Sequence, residues 1–453
     1  MSTTPRNMPK GAIASLFARR RPAPVVSSPA PLTAEVDGEQ GVVIARRLAG
    51  ERILPQHGPW LLLGATRLRH HLLVTGATGF GKTETLLRLA WTVARSSDAP
   101  VYYMDGKGDR ANAERFAGLM ADAGREVKVF PNEPFDGWRG EYQEIHSRLM
   151  RIIDYAEEGP AAWYRDVARS TLRLVCDQPQ GPPRSSRALL ERLDFDSLAL
   201  AHPGSSALDA LSPRQVAQVR LRYEAFFGQL RGQLDGAFSF EDTSAAYLLL
   251  DSLTLPDEVP GVSRFLFEDF MHYIVTRKHP GQLAMLIVDE FSGLADGSMS
   301  GRVEKARGYN ASLILAPQVI EGMGGREETA RILGSVGTLI SHRVNTPDEI
   351  VRLAGTRMVP QLTTTIAEDG VGRERTVRME AQLKIDPNHA RELPRGHAYI
   401  ISEGRMTKAQ ILMAPKLTAP LPEPQTTPAG VAVKDTARIE GNRQTGETLD
   451  EVH

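Results

Sequence analysis

The chain has 453 residues, with 54 Lys+Arg against 55 Asp+Glu and a formal net charge of −1. That length suggests about three folding units, or one large domain carrying an insertion, and a composition of 41% hydrophobic and 24% charged residues is that of a globular chain able to bury a large core without cross-links. The single cysteine, Cys176, excludes an internal disulfide framework and a cysteine-rich zinc site, and the charge balance excludes a protein that coats nucleic acid or anionic lipid over its whole surface, though not one with a local basic channel.

In chain order, residues 1–45 are expected to form a disordered basic arm. The stretch RRRPAPVVSSPAPL is rich in Pro, Ala, Ser and Arg and carries little periodic apolar content. Within the arm, MPKGAIASLFARRR can form an amphipathic turn or two against a membrane surface, or remain a mobile basic tail. Ile13, Leu16 and Phe17 precede the basic run Arg19–Arg21, the reverse of a signal peptide. No window reaches the roughly 18 apolar residues of a spanning helix. A soluble, cytoplasmic protein is the default expectation, with any membrane contact peripheral.

Residues 46–139 alternate strands and helices. HLLVTG leads into a glycine-rich loop and then ETLLRLAWTVARS, where Leu86, Leu87, Leu89, Ala90 and Val93 have helical spacing. VYYMD, the helix NAERFAGLMADAG and the strand VKVFP follow. From 140 to 240 the chain reads as an all-helical insertion. Ile145, Leu149, Ile152 and Ile153 share one helical face, and Trp163, Val167, Leu172 and Val175 another. Ser212, Pro213 and Gln215 form a capping-box start to a helix that reaches about Leu230 and ends at Gly232. The sheet resumes over 241–418 with AYLLLDSL, LAMLIVDE, SLILAPQ, GTLISHR and HAYIISEG, and residues 419–453 read as a second tail. Strand-helix alternation of this kind implies an α/β fold with a mostly parallel sheet covered on both faces.

The strongest motif is GATGFGKT, a P-loop between an apolar strand and an amphipathic helix. Gly76, Ala77, Thr78, Gly79, Phe80, Gly81, Lys82, Thr83 and Glu84 are the candidate nucleotide-binding residues. The glycines let backbone N–H groups wrap a phosphate. Lys82 then reaches the β- and γ-phosphates, and the Thr83 hydroxyl is a Mg²⁺ ligand. LAMLIVDE delivers Asp289 and Glu290 to a strand end, the Walker B arrangement. Asp289 would hold Mg²⁺ through water, and Glu290 would polarise the attacking water as general base. Gln318, ending SLILAPQ, is either a sensor of the γ-phosphate or an ordinary loop glutamine. Arg307 is either a residue that neutralises transition-state charge, in the same or a neighbouring subunit, or a surface arginine.

Taken together, GATGFGKT, YYMDGKGD, LIVDEF, ARGYN before LILAPQ, GTLISHRVNTPDEIVRLAG and LPRGHAYIISEGR resemble the FtsK/HerA superfamily of P-loop ATPases. The resemblance covers about residues 55 to 415 and is greatest to TraG/TraD-type coupling ATPases of conjugation and type IV secretion. That group has Asp-Pro-Lys-Gly-Glu or a close variant where this chain has DGKGD, so Gly106 replaces a proline at a turn. The resemblance implies a RecA-like core with an inserted all-helical domain, ATP as substrate with Mg²⁺, and a hexameric ring that pumps DNA, double-stranded and without sequence preference. It further implies relaxosome or secretion-channel partners, Lys82, Glu290 and Gln318 as catalytic groups, and Arg307 acting across the subunit interface. Coupling proteins usually begin with transmembrane helices, which are not seen here. A soluble variant, or one docked by its basic arm, is expected. A cytosolic HerA-like translocase and an ATP-gated scaffold without motor activity are the alternatives. Arg302, Lys305, Lys107 and the cluster Arg67, Arg69, His70 and His71 are candidate DNA-facing or surface residues, and the two histidines lack the spacing of a metal pair.

Overall fold

The computed structural model describes residues 31–425 apart from 37–38, 50–51, 54–59, 157, 292–298 and 367–372. Its centre is a run of seven parallel strands. In spatial order they are Thr338–Ser341, Leu72–Thr75, Ala311–Ala316, Ala284–Asp289, Val101–Asp105, Ala245–Leu249 and Lys128–Phe130. Five of them are apolar runs rather than alternating ones, as expected of strands buried on both faces. Leu72 and Val74 point into one core with Leu86, Leu89 and Phe116. Leu73 points into the other with Tyr102, Met104, Phe265 and Phe270. The helices Lys82–Ser96 and Arg110–Asp122 supply the first core, and Val259–Thr276 supplies the second. This is the RecA-like P-loop architecture expected from the sequence, with the Ala311–Ala316 strand lying between the P-loop strand and the Walker B strand.

The sheet extends antiparallel through His397–Ser402 and Arg405–Ile411 to Glu39–Ala49. This corrects the expected arm boundary at residue 45. Thr33–Val36 and Glu39–Ala49 are strands, because Val42, Val43, Ile44 and Ala45 are buried against Trp60–Gly64. The expected tail from 419 is likewise packed as far as residue 425. Leu421 is buried, Ala419 N–H donates to the Glu114 carbonyl at 3.0 Å, and Gln425 N–H donates to the Asn132 carbonyl at 2.7 Å. The amphipathic stretch in the first thirty residues, and residues 426–453, lie outside the described residues.

Between Lys128–Phe130 and Ala245–Leu249 the chain is helical, through Tyr142–Ile152, Ala162–Cys176, Ser186–Arg192, Phe195–Ala201, Ser206–Asp209 and Pro213–Leu230. The last has the capping box of Ser212 and Gln215 with Pro213 in its first turn, and its C-cap is Arg231 in the left-handed region, one residue before Gly232. Tyr223 O–H donates to the Leu149 carbonyl at 3.0 Å, which joins two of these helices. Buried Arg148 pairs with Asp269 and ties the helical block to the core helix Val259–Thr276. Cys176 is buried among these helices, and burial pushes its thiol up to about 12.

A hairpin, Thr356–Ile366 with Arg373–Leu383, pairs only with itself among the described residues and leaves Met358, Val377, Met379 and Leu383 exposed. No helix of the described residues is long and apolar enough to cross a membrane.

His71 closes the base of the P-loop strand. Its Nδ1 accepts the Leu313 N–H at 3.1 Å, so Nε2 carries the proton and donates to the Val303 carbonyl at 2.7 Å. Burial, opposed by the Val303 hydrogen bond and aided by the charge of Arg307, lowers its pKa from 6.5 to about 4. Between those values the unfolded chain binds the proton that the folded chain refuses, so the stability contributed by neutral His71 is complete above pH 6.5 and is lost as pH falls toward 4. The stability gap between wild type and His71→Asn, measured by chemical denaturation, should therefore narrow from pH 7 to about pH 4. A gap independent of pH would contradict the neutral buried imidazole.

Candidate active site

The P-loop follows Leu72–Thr75 directly, and its first residues continue the sheet. Ala77 N–H donates to the Arg343 carbonyl at 2.8 Å. The helix starts at Lys82, with Gly81 as its N-cap at φ 121°, a conformation that a side chain resists. A Cβ on Gly81 would also lie 3.1 Å from the His342 ring. His342 is the floor of the loop. It is buried, its Nδ1 donates to the His397 carbonyl at 3.0 Å, and its Nε2 meets the Thr85 hydroxyl at 2.8 Å. The Arg343 guanidinium sits 4.6 Å over the Phe80 ring. An open cavity of about 190 Å³ beside the loop is lined by Thr75, Ala77, Thr78, Gln318, Asn345 and Thr346 among others.

Lys82 reaches back over the sheet. Its Nζ donates to the Ala316 carbonyl at 3.3 Å and lies 3.4 Å from Asp289 Oδ1 and 3.5 Å from Glu290 Oε1. Asp289 is buried and accepts the Tyr103 hydroxyl at 3.0 Å. Burial drives the Tyr103 phenol well above its usual range, helped by the Asp289 charge, so it remains a donor. Glu290 has φ 62°, an unfavourable backbone conformation of the kind that collects at functional sites. Its Oε2 accepts Gln318 Nε2–H at 3.0 Å. Burial pushes the Glu290 carboxyl up, but the Lys107 hydrogen bond and the charges of Lys82 and Lys107 outweigh it and hold the group below the usual carboxylate range. Lys82, Asp289, Glu290 and Gln318 thus meet at the C-terminal ends of adjacent parallel strands, where ligands of such sheets bind.

Two sequence-predicted residues stand apart. Arg307 is exposed and begins the short 3₁₀ turn Arg307–Tyr309, just before the strand that opens at Ala311. The register pairs Ala311 with Ala284 and Ala316 with Asp289, so Arg307 lies beyond the opposite end of a strand that itself spans about 16 Å. It does not reach the P-loop of its own chain. Glu84 engages Arg115 through two hydrogen bonds, at 2.5 and 3.0 Å.

The candidate DNA-facing residues also divide. Arg302 is paired with buried Glu268, Arg67 with Glu403 at 3.2 Å, and His71 is buried, while Lys305 remains exposed. Lys107 enters the site itself, with Nζ 2.5 Å from Glu290 Oε1. Sequence reasoning took DGKGD as a mark of resemblance and missed this contact. The available signal was that VYYMD and LAMLIVDE both end in acids at strand termini, as neighbours in a parallel sheet would.

No family model matches the chain. In sequence it is similar to the type 4 coupling protein DotL of Legionella pneumophila subsp. pneumophila (strain Philadelphia 1), with 24% identity over 240 residues. That match covers 51% of this chain and 29% of DotL, so the chain accounts for well under half of that relative. In fold it is similar to the plasmid coupling protein TrwB in complex with the ATP analogue ADPNP, at TM-score 0.61 and 18% identity, covering 87% of this chain and 98% of that one. TrwB has also been solved with ADP and Mg²⁺. VirB4 of Thermoanaerobacter pseudethanolicus matches at TM-score 0.54 and 14% identity, covering 84% of this chain and 98% of that one. The resemblance to coupling ATPases read from the motifs is therefore met in both sequence and fold.

Proposed function

We propose that the chain is an ATP-driven DNA translocase of the coupling-protein kind, acting in conjugation or type IV secretion-like DNA transfer. The observation that carries the reading is the convergence of Lys82, Asp289, Glu290 and Gln318 at one end of the sheet. A triphosphate fits there. The loop turns through Gly81 in a left-handed conformation, and a buried ammonium waits between two carboxylates. ATP and Mg²⁺ are supported by the complexes of TrwB with ADPNP and with ADP and Mg²⁺. Among the described residues no cluster of three or more His, Cys, Asp or Glu forms a cage for a metal. Mg²⁺ suits this chain because it takes one or two protein ligands and completes its shell with phosphate and water.

On this reading, Gly76 to Glu84 cradle the phosphates and Lys82 neutralises the β- and γ-groups. Thr83 and Asp289 hold Mg²⁺, which supplies charge neutralisation on the phosphate oxygens. Glu290 takes the proton of the attacking water, and Gln318 orients that water beside it. Arg307 acts on the neighbouring subunit's site, since the site of its own chain lies at the far end of the strands. Identical subunits therefore form a ring, hexameric by resemblance, that passes double-stranded DNA without sequence preference. Phosphate contacts supply that kind of affinity. Residues 140–240 form a helical domain inserted into the nucleotide-binding domain. The protein works in the cytoplasm, with membrane contact at most peripheral and relaxosome or secretion-channel proteins as partners. The reading is tested by whether duplex DNA accelerates ATP hydrolysis. A rate indifferent to DNA would contradict it.

A further inference from the structure

The turn after Val101–Asp105 is built with more care than a connection needs. Asp105 is buried. Its Oδ1 accepts Lys107 N–H at 2.9 Å, and its Oδ2 accepts Asp109 N–H at 3.0 Å and the Tyr247 hydroxyl at 2.7 Å. Ser252 O–H donates to the Gly106 carbonyl at 3.0 Å, and Gly106 N–H donates to the Asp289 carbonyl at 3.3 Å. A Cβ on Gly106 would stand 3.2 Å from Glu290 Cβ. Gly108 is left-handed, and a Cβ there would fall 2.7 Å from Asp251 Cα. None of these anchors involves the Lys107 side chain, so the turn holds its shape independently of it. What it presents is the Lys107 ammonium, 2.5 Å from Glu290 Oε1.

Among the described residues, two cations lie within 4.0 Å of Glu290: Lys82 at 3.5 Å and Lys107 at 2.5 Å. They are not equivalent. Lys82 belongs to the P-loop, and a bound triphosphate draws its ammonium away from the carboxylates. Lys107 sits in the turn after a different strand, outside the loop, and has no such competing role. A half-buried carboxylate facing phosphate oxygens would swing away from them by charge repulsion unless a cation held it.

We propose that Lys107 is a positioning residue of the hydrolytic site, gripping Glu290 through Oε1 so that Oε2, beside Gln318, stays aimed at the attacking water after Lys82 has moved to the phosphates. The inference rests on the ATPase reading above. It assigns a role to the lysine of the DGKGD turn that is separate from any contact with DNA. Lys107 acts through Glu290 and binds no nucleotide itself.

The test compares full-length wild type, Lys107→Met, Lys107→Arg, Glu290→Gln and the double variant Lys107→Met/Glu290→Gln. It measures kcat and KM for ATP, with Kd for ATP and for ADP obtained by displacement of a fluorescent nucleotide. Lys107→Met should lower kcat on the order of 10- to 100-fold, the scale of a displaced catalytic group, and leave both Kd values within about twofold of wild type, because the P-loop is untouched. Lys107→Arg should recover most of the lost kcat. In the Glu290→Gln background the same change should cost almost nothing further, since the two residues act as a unit. An unchanged kcat in Lys107→Met would overturn the inference. So would losses that simply add in the double variant, or a parallel loss of ATP and ADP affinity. Wild-type protein that does not hydrolyse ATP would instead sink the ATPase reading itself.

Discussion

Glu290→Gln should lower kcat by about 10²- to 10⁴-fold while nucleotide still binds, because a positioned general base contributes on that scale. Gln matches Glu in size and shape, but its amide accepts at only one of the two former oxygen positions, so it keeps the Gln318 hydrogen bond at Oε2 or the Lys107 contact at Oε1, not both. The Glu290 backbone, at φ 62°, is tied to the neighbouring strand by its N–H donating to the Ala316 carbonyl at 3.2 Å, a bond that does not involve the side chain. What is lost is the negative charge that takes the proton of the water. Lys82→Ala should differ in kind. It removes a buried ammonium that faces Asp289 and Glu290 at 3.4 and 3.5 Å and leaves Asp289 without that cation, and Glu290 with Lys107 alone, against incoming phosphate. Affinity and kcat should fall together, where Glu290→Gln separates them. Equal nucleotide affinity in wild type and Lys82→Ala would remove the P-loop assignment. An active Glu290→Gln enzyme would remove the general base.

Arg307→Ala should lower hydrolysis by on the order of 10³-fold, the lower end of what an arginine supplied to a phosphoryl-transfer site is worth. Mixing these subunits with inactive Lys82→Ala subunits should restore part of the rate. Arg307 and Glu290 lie at opposite ends of neighbouring strands, so no side-chain rotation within one chain brings them together. In a random equimolar mixture, roughly one interface in four joins an intact P-loop to an intact arginine. Recovery toward a quarter of the wild-type rate is therefore the expected ceiling. Absence of any recovery, from assemblies shown to contain both variants, would mean that Arg307 serves no neighbouring site.

The parts of the site that were legible in the sequence are those whose chemistry is contiguous. GATGFGKT carries phosphate-binding backbone, cation and hydroxyl within eight residues, and LAMLIVDE announces a buried strand and its acids together. Gln318 was legible as a strand end but not as a partner of Glu290. That depends on the Ala311–Ala316 strand lying between the P-loop and Walker B strands. Lys107 was legible only as a DNA-facing or surface lysine, and its contact with Glu290 was missed for the same reason, since the two meet only because Val101–Asp105 pairs with Ala284–Asp289 in register. His342 reads as an unremarkable residue in ISHRVN and becomes the floor of the P-loop through its contacts with Thr85 and Gly81.

In the fold, the alternation of strands and helices identified the central sheet, and the capping residues at Ser212 and Gln215 marked a helix start correctly. The exposed hairpin at 356–383 was missed. Its strands hold Pro360 and side chains open to solvent, so they lack the buried apolar run that marked the other strands. The edge strands at 33–49 were missed because they follow a Pro- and Ser-rich stretch whose composition masks them.

The central claim is that ATP hydrolysis here is coupled to movement along DNA. It is tested most directly by the steady-state hydrolysis rate of the full chain with and without duplex DNA of random sequence, with Glu290→Gln as the blank. A DNA-dependent rise in rate is expected, indifferent to sequence and falling steeply with added salt as phosphate contacts are screened. Assembled wild-type protein that hydrolyses ATP at one rate whether or not DNA is present would contradict it, and would leave an ATP-gated scaffold in place of a motor.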